Sequence, residues 1–234
     1  PTRTMIVASH HVPGLDQLFG TNGHYLQGPK KSTDLREKGL AEIQAWCKAL
    51  PAGEGEKYLF ISMGDEIGST EGLKPLTETL RQSLPNAGIG ANYSPHGGAT
   101  NAYLGGVNHW VTAFRDDVLT MPWGEDYIWQ LPVGTPQMNS LNLDLFRAGL
   151  RGKPNGKILY YVMPHSPGNT PAMWRRLFYS AMGHGAKIFN LFEFDPVWAA
   201  YTENHVTGNA MYGMVLRTLR EYGLYEDIVQ TGQV

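Results

Sequence analysis

Residues 57–68 read KYLFISMGDEIG, and the rest of the chain is organised around them. Tyr58, Leu59, Phe60, Ile61 and Met63 make the segment apolar at nearly every position, which predicts a strand buried on both faces, as in a parallel sheet covered by helices. The run stops abruptly at Gly64-Asp65-Glu66. Two adjacent carboxylates at the end of a buried strand are costly unless they face a cleft with partners. In folds of alternating strands and helices, that end of the strand is where the chemistry sits. The plainer alternative is that Asp65 caps the following turn and Glu66 pairs with an arginine.

Working outward, the same strand-then-polar-end pattern recurs. A strand over 5–8 ends at His10-His11; side chains alternate along a strand, so one histidine at most points inward, with His10 the candidate substrate contact. Thr33 or Asp34 caps a helix to about Leu50, carrying Leu40, Ile43 and Cys47 at helical spacing. A helix over about 71–84 follows, then a strand over 89–93 that ends in Asn92-Tyr93, then a Gly- and Asn-rich loop over 94–108. A strand over 118–121 leads into Trp123-Gly124-Glu125-Asp126-Tyr127. Thr135-Pro136 supplies a cap and a first-turn proline for a helix through Leu141, Leu145 and Phe146. A strand over 157–163 ends at Pro164-His165, and Thr170-Pro171 opens a helix with Trp174, Leu177, Phe178, Ala181 and Met182 on its buried side. A strand over 187–192 ends at Glu193, and a last helix spans roughly 209–229.

The alternation predicts a parallel α/β architecture. At 234 residues, the expected fold is a (β/α)8 TIM barrel of which residues 1–234 hold six of the eight β/α units, since a full barrel takes about 250 residues. Further domains or chains would complete it. The rival is an open doubly wound sheet, but no glycine-rich phosphate loop follows any strand, which argues against nucleotide binding. A formal charge of −2 without a basic stripe argues against nucleic acid as a partner. No apolar run of about 18 residues crosses a membrane. With one cysteine, Cys47, no internal disulfide forms and the compartment stays open, an extracellular or periplasmic setting being favoured for the full-length protein. Six Trp and twelve Tyr, many in Gly/Pro/Asn-rich loops, fit ring stacking on sugars or bases as well as core closure.

Read together, these strand ends resemble clan A glycoside hydrolases, most closely the barrel of family 42 β-galactosidases. On this resemblance the 5–11 segment looks like the third barrel strand, Ile61-Ser-Met-Gly-Asp-Glu66 the fourth, 89–93 the fifth, 118–127 the sixth, 157–168 the seventh, and 181–194 the helix end and eighth strand. The resemblance implies an oligosaccharide or polysaccharide substrate with a β-linked, galactoside-like bond, no cofactor and no metal. It implies Glu66 as general acid/base, with a raised pKa. Asp65 stands where the family has Asn, which hydrogen-bonds the sugar; a carboxylate there accepts but cannot donate, and its charge pushes the Glu66 pKa upward. Asn92, Trp123, Tyr127, His165, Trp198, Glu203 and His205 are the further candidate substrate contacts.

The departure lies on the seventh strand. Where the family places its nucleophilic Glu, this chain has Pro164, and double displacement needs two carboxyls roughly 5–5.5 Å apart. Glu193 is one replacement. Glu125 or Asp126, acting as base on water, is another, giving inversion at a spacing of about 6.5–9.5 Å. The third possibility is a barrel that binds glycan without cleaving it. A metal-dependent hydrolase built on His10, Asp65, Glu66 and His165 is weaker, because the chain has no H-x-H or H-E-x-x-H motif.

Overall fold

A computed structural model of the chain describes residues 6–8, 33–64, 70, 72–93, 107–125, 136–153, 156–164, 169–191 and 208–232. Within these, the strands are β1 (Ile6–Ala8), β2 (Tyr58–Ser62), β3 (Gly88–Gly90), β4 (Asn92–Tyr93), β5 (Trp123–Glu125), β6 (Ile158–Tyr161) and β7 (Ala186–Asn190). The α-helices are α1 (Thr33–Ala49), α2 (Lys74–Ser83), α3 (Val107–Arg115), α4 (Pro136–Leu150), α5 (Pro171–Gly183) and α6 (Gly208–Thr231). The chain divides into two compact units, one of residues 1–123 and 148–156, the other of residues 124–147 and 157–234.

The first unit is built on two successive strand–helix–strand crossovers. β1, β2 and β3 lie side by side in that order, all parallel, with Ala8 opposite Ile61 and Ile61 opposite Ile89. Phe60, Ile61 and Met63 are buried, as the apolar run requires. α1 packs on α2, and α2 on β3. Pro75 in the first turn of α2 sets the start of that helix, and Leu76, Thr77 and Leu80 form its buried face. Trp46 of α1 meets the Tyr58 ring edge-on at 5.7 Å.

The expected TIM barrel is not what the chain forms. Among the described residues the strands fall into two separate small parallel sheets, with no eight-fold ring. One departure from the expected alternation lies at the outer edge of β3, while β4 pairs with β5 in the other sheet. Closure needs each strand to offer a ladder to the next, and the strand expected over 118–121 does not form. Asp117 takes a left-handed φ of 56°. The Val118 and Leu119 amides then turn back to the Ala113 carbonyl, capping α3, and the Thr120 and Met121 amides share the single Ile89 carbonyl. An irregular segment thus occupies the β3 edge. It lies so close that a Cβ on Gly90 would sit 2.4 Å from the Met121 carbonyl oxygen, and one on Gly88 would sit 2.6 Å from the Met121 sulfur. Lys153 donates to the Arg115 carbonyl and Lys74 to that of Asp116, while Lys153 also pairs with Asp117 at 2.8 Å, fixing the turn after α3.

In the second unit β6 and β7 pair in parallel, Tyr160 opposite Phe189, with β5 beside β6. Helix α5 starts and stops where the sequence says it should. The Thr170 hydroxyl accepts from the Met173 amide, Pro171 occupies the first turn, and Gly185 leaves the helix at φ +100°. Its buried residues Trp174, Leu177, Phe178 and Ala181 follow the 3.6-residue period. Phe178 stacks on Phe189 of β7 at 4.3 Å, and both rings meet Tyr222 of α6 edge-on. Lys187 holds the end of α6, donating to the carbonyls of Gln230 at 3.0 Å and Gly232 at 2.8 Å, the favourable end of a helix for a cation.

Candidate functional site

Parallel strands put their C-terminal ends on one edge of a sheet. In the first unit that edge holds the ends of β1, β2 and β3; in the sequence these strands are followed by His10, Asp65-Glu66 and Asn92, of which Asn92 is among the described residues. Gly64 ends the β2 segment at φ +150°, a backbone conformation that suits glycine and strains other residues. The sharp stop before the two acidic residues is therefore encoded by Gly64 itself. Its carbonyl accepts from the Asn92 amide at 3.1 Å and lies 3.4 Å from the Ser62 hydroxyl, while the Met63 amide donates to Gly90 at 2.6 Å. Asn92 is buried and is thus tied, through its backbone, to the residue directly before Asp65. Trp123, expected as a sugar platform, is instead buried with its ring tilted edge-on against Phe60 at 5.7 Å, as part of this unit's core.

In the second unit the end of β5 carries Glu125, which is 5% exposed. Beside it stands Tyr160 of β6, whose hydroxyl lies 2.9 Å from Asn139 Oδ1 of α4 and 3.2 Å from the Glu125 carbonyl oxygen. Tyr160 and Asn139 are themselves buried. Gly124 packs tightly here, since a Cβ would meet the rings of Phe146 and Tyr160 at 3.0 and 3.2 Å. The Asn139 Nδ2 donor is buried with no hydrogen-bond partner among the described residues. Turning the carboxamide over would let Nδ2 donate to the Tyr160 oxygen and leave the hydroxyl proton for Glu125, exchanging a dry donor for a dry acceptor. Further along β6, the Trp174 indole donates to the Val162 carbonyl at 3.3 Å and Asn169 to that of Met163 at 2.6 Å, anchoring the residues before the buried Pro164.

Glu66, Asp65, Asp126, Glu193, His10, Tyr127, His165, Trp198, Glu203 and His205 lie outside the described residues. Among the described residues no group of three His, Cys, Asp or Glu side chains is placed to hold a metal, and no helix is long and apolar enough to cross a membrane. Burial pushes the Cys47 thiol up, partly countered by a hydrogen bond to Ser83, so it stays protonated and a poor nucleophile at neutral pH. Tyr160 and Asn139 belong to no motif and were not singled out by the sequence; a tyrosine in the apolar run Ile158-Leu159-Tyr160-Tyr161 was the one signal that a buried hydroxyl needed a partner. No family model matches the chain, and no curated protein matches it.

Proposed function

We propose that this chain acts on carbohydrate, hydrolysing a β-linked, galactoside-like bond with Glu66 as the general acid/base. The observation that supports the reading is the β1–β2–β3 sheet, whose parallel strands precede three of the polar ends picked out in the sequence, with the Asn92 amide bonded to the Gly64 carbonyl. The reading needs only parallel strands, not a closed barrel. Glu66 would protonate the glycosidic oxygen and then deprotonate water. With Pro164 at the position of the usual nucleophile, the candidates the sequence offers for a second carboxylate are Glu125, Asp126 and Glu193, and a base acting on water gives inversion. The test is turnover of aryl β-glycosides and natural oligosaccharides by the Glu66→Gln variant beside Glu125→Gln, Asp126→Asn and Glu193→Gln. Loss of hydrolysis in Glu66→Gln, with the product anomer read by NMR, supports the reading; unchanged turnover rejects it.

The second reading is a glycan-binding protein without hydrolysis. The same Pro164 favours it, because a proline supplies neither nucleophile nor base. Calorimetric binding of sugars, with no cleavage across a broad substrate set, selects it over the enzyme. Cleavage that depends on Glu66 rules it out.

A further inference from the structure

Helix α6 runs 24 residues, and its two faces differ sharply. Met211, Val215 and Thr218 are buried and Tyr222 meets Phe178 and Phe189, so this side packs on its own unit. The opposite side carries Leu216, Leu224 and Ile228, which are 42%, 80% and 71% exposed, with Tyr225 half-exposed at its flank. Leu216, Arg220, Leu224 and Ile228 recur at four-residue spacing and so form one line along the helix. A shallow groove runs over Gly213, Leu216, Arg217, Arg220, Glu221 and Leu224.

Two glycines add to this. Gly213 and Gly223 lie inside α6, where glycine costs roughly 1 kcal/mol relative to alanine. A Cβ at either position would meet nothing within 4 Å among the described residues. Among the described residues packing therefore gives no reason for either. A helix approaching closely from outside at Gly223 would give one there, and Gly213 lies outside that contact. Charge decides which helix. Arg217 and Arg220 sit on the first half of the exposed side and Asp227 on the second half, all exposed, while Glu226 continues the line of Thr218 and Tyr222. Glu221 is already engaged by Tyr179 and Arg175.

We infer that α6 pairs antiparallel with α6 of a second copy of this chain about a two-fold axis between Gly223 and Leu224. In that register each Leu224 lies over the other copy's Gly223, and each Arg220 faces the other copy's Asp227. A parallel copy would set arginine against arginine and aspartate against aspartate, which a two-fold interface of opposite hand avoids. Leu224 and Gly223 supply the central contact; exposed ion pairs add little affinity and fix orientation.

The test is sedimentation velocity of the full chain over a concentration series. A monomer–dimer equilibrium is expected, with Leu224→Glu raising Kd by about tenfold or more while far-UV circular dichroism stays unchanged. Arg220→Asp and Asp227→Arg should each weaken the dimer, and the double charge swap should restore it. In a Cys47→Ser background, Leu224→Cys should cross-link under mild oxidation and Arg217→Cys should not. A chain that stays monomeric, a dimer indifferent to Leu224→Glu, or a double swap that fails to restore pairing each overturns the inference.

Discussion

Tyr160→Phe removes one oxygen from the interior of the second unit, and its effect follows from what that oxygen touches. The hydroxyl lies 2.9 Å from Asn139 Oδ1 and 3.2 Å from the Glu125 carbonyl, and Tyr160 is 1% exposed. Phenylalanine fills the same space, so the loss is polar rather than steric. Leaving a buried polar group without its partner costs about 1–3 kcal/mol. Asn139 is the group affected most, because its Nδ2 already lacks a partner among the described residues. A loss of about 2 kcal/mol is expected, equivalent to a fall in Tm of about 4–8 °C for a chain of this size. Replacing both partners by apolar groups is far milder than removing one, so Tyr160→Phe combined with Asn139→Leu should cost less than the two single changes added, by about 1 kcal/mol. Urea unfolding gives the totals, and hydrogen exchange at the β6 and β7 amides reports the second unit by itself. A single-variant loss below about 0.5 kcal/mol, or strict additivity in the double variant, refutes the claim that these groups form one network.

Two further outcomes can be read directly from local geometry. Gly90→Ala should destabilise by about 1–3 kcal/mol, because its new Cβ meets the Met121 carbonyl oxygen at 2.4 Å, whereas Gly213→Ala, which meets nothing within 4 Å, should stabilise the chain by about 0.4–1 kcal/mol in thermal melts; equal effects of the two would sink the close-approach argument. Burial, then the hydrogen bond to Glu221, pushes the Tyr179 phenol up to about 12 from an ordinary 10, while hydrogen bonds from Tyr179 and Arg175 hold the Glu221 carboxyl below its usual value. The sign follows: the neutral phenol's contribution is fully present below pH 10 and fades as pH rises toward 12, and the carboxylate's is present above its ordinary 4.5 and fades as pH falls through the lowered value. Tyrosine-ring NMR titration should show one midpoint near 12 that falls in Glu221→Gln; a midpoint that does not move contradicts the assignment.

What was legible in the sequence was whatever depends on near neighbours. Thr170-Pro171 and Gly185 punctuate α5 by cap, fixed φ and positive φ, and the Trp174-to-Ala181 period names its buried face. The strand at Tyr58–Ser62 was legible because its run is apolar at nearly every position, Ser62 excepted. Residues 118–121 misled, since an apolar, β-branched run reads as strand while the decisive partners are the Ala113 and Ile89 carbonyls. The expected loop over 94–108 likewise hid the start of α3, whose buried Val111, Ala113 and Phe114 lie beyond the Gly- and Asn-rich stretch. Tyr160 and Asn139 were illegible for the same reason: they are far apart in sequence and meet only once β6 and α4 are placed.

Alternation and closure are different kinds of information. A strand–helix–strand repeat fixes that neighbouring strands run parallel, because a short crossover returns the chain in the same direction and hand. It says nothing about the last edge, which is settled by whichever segment reaches it first. At β3 that segment is 118–121, admitted by two glycines and held by one carbonyl. The proposed chemistry depends on the first kind of information and not on the second. In the sequence, His10, Asp65-Glu66 and Asn92 come directly after three parallel strands joined by two crossovers, so the proposed chemistry asks for those strands and not for a closed ring.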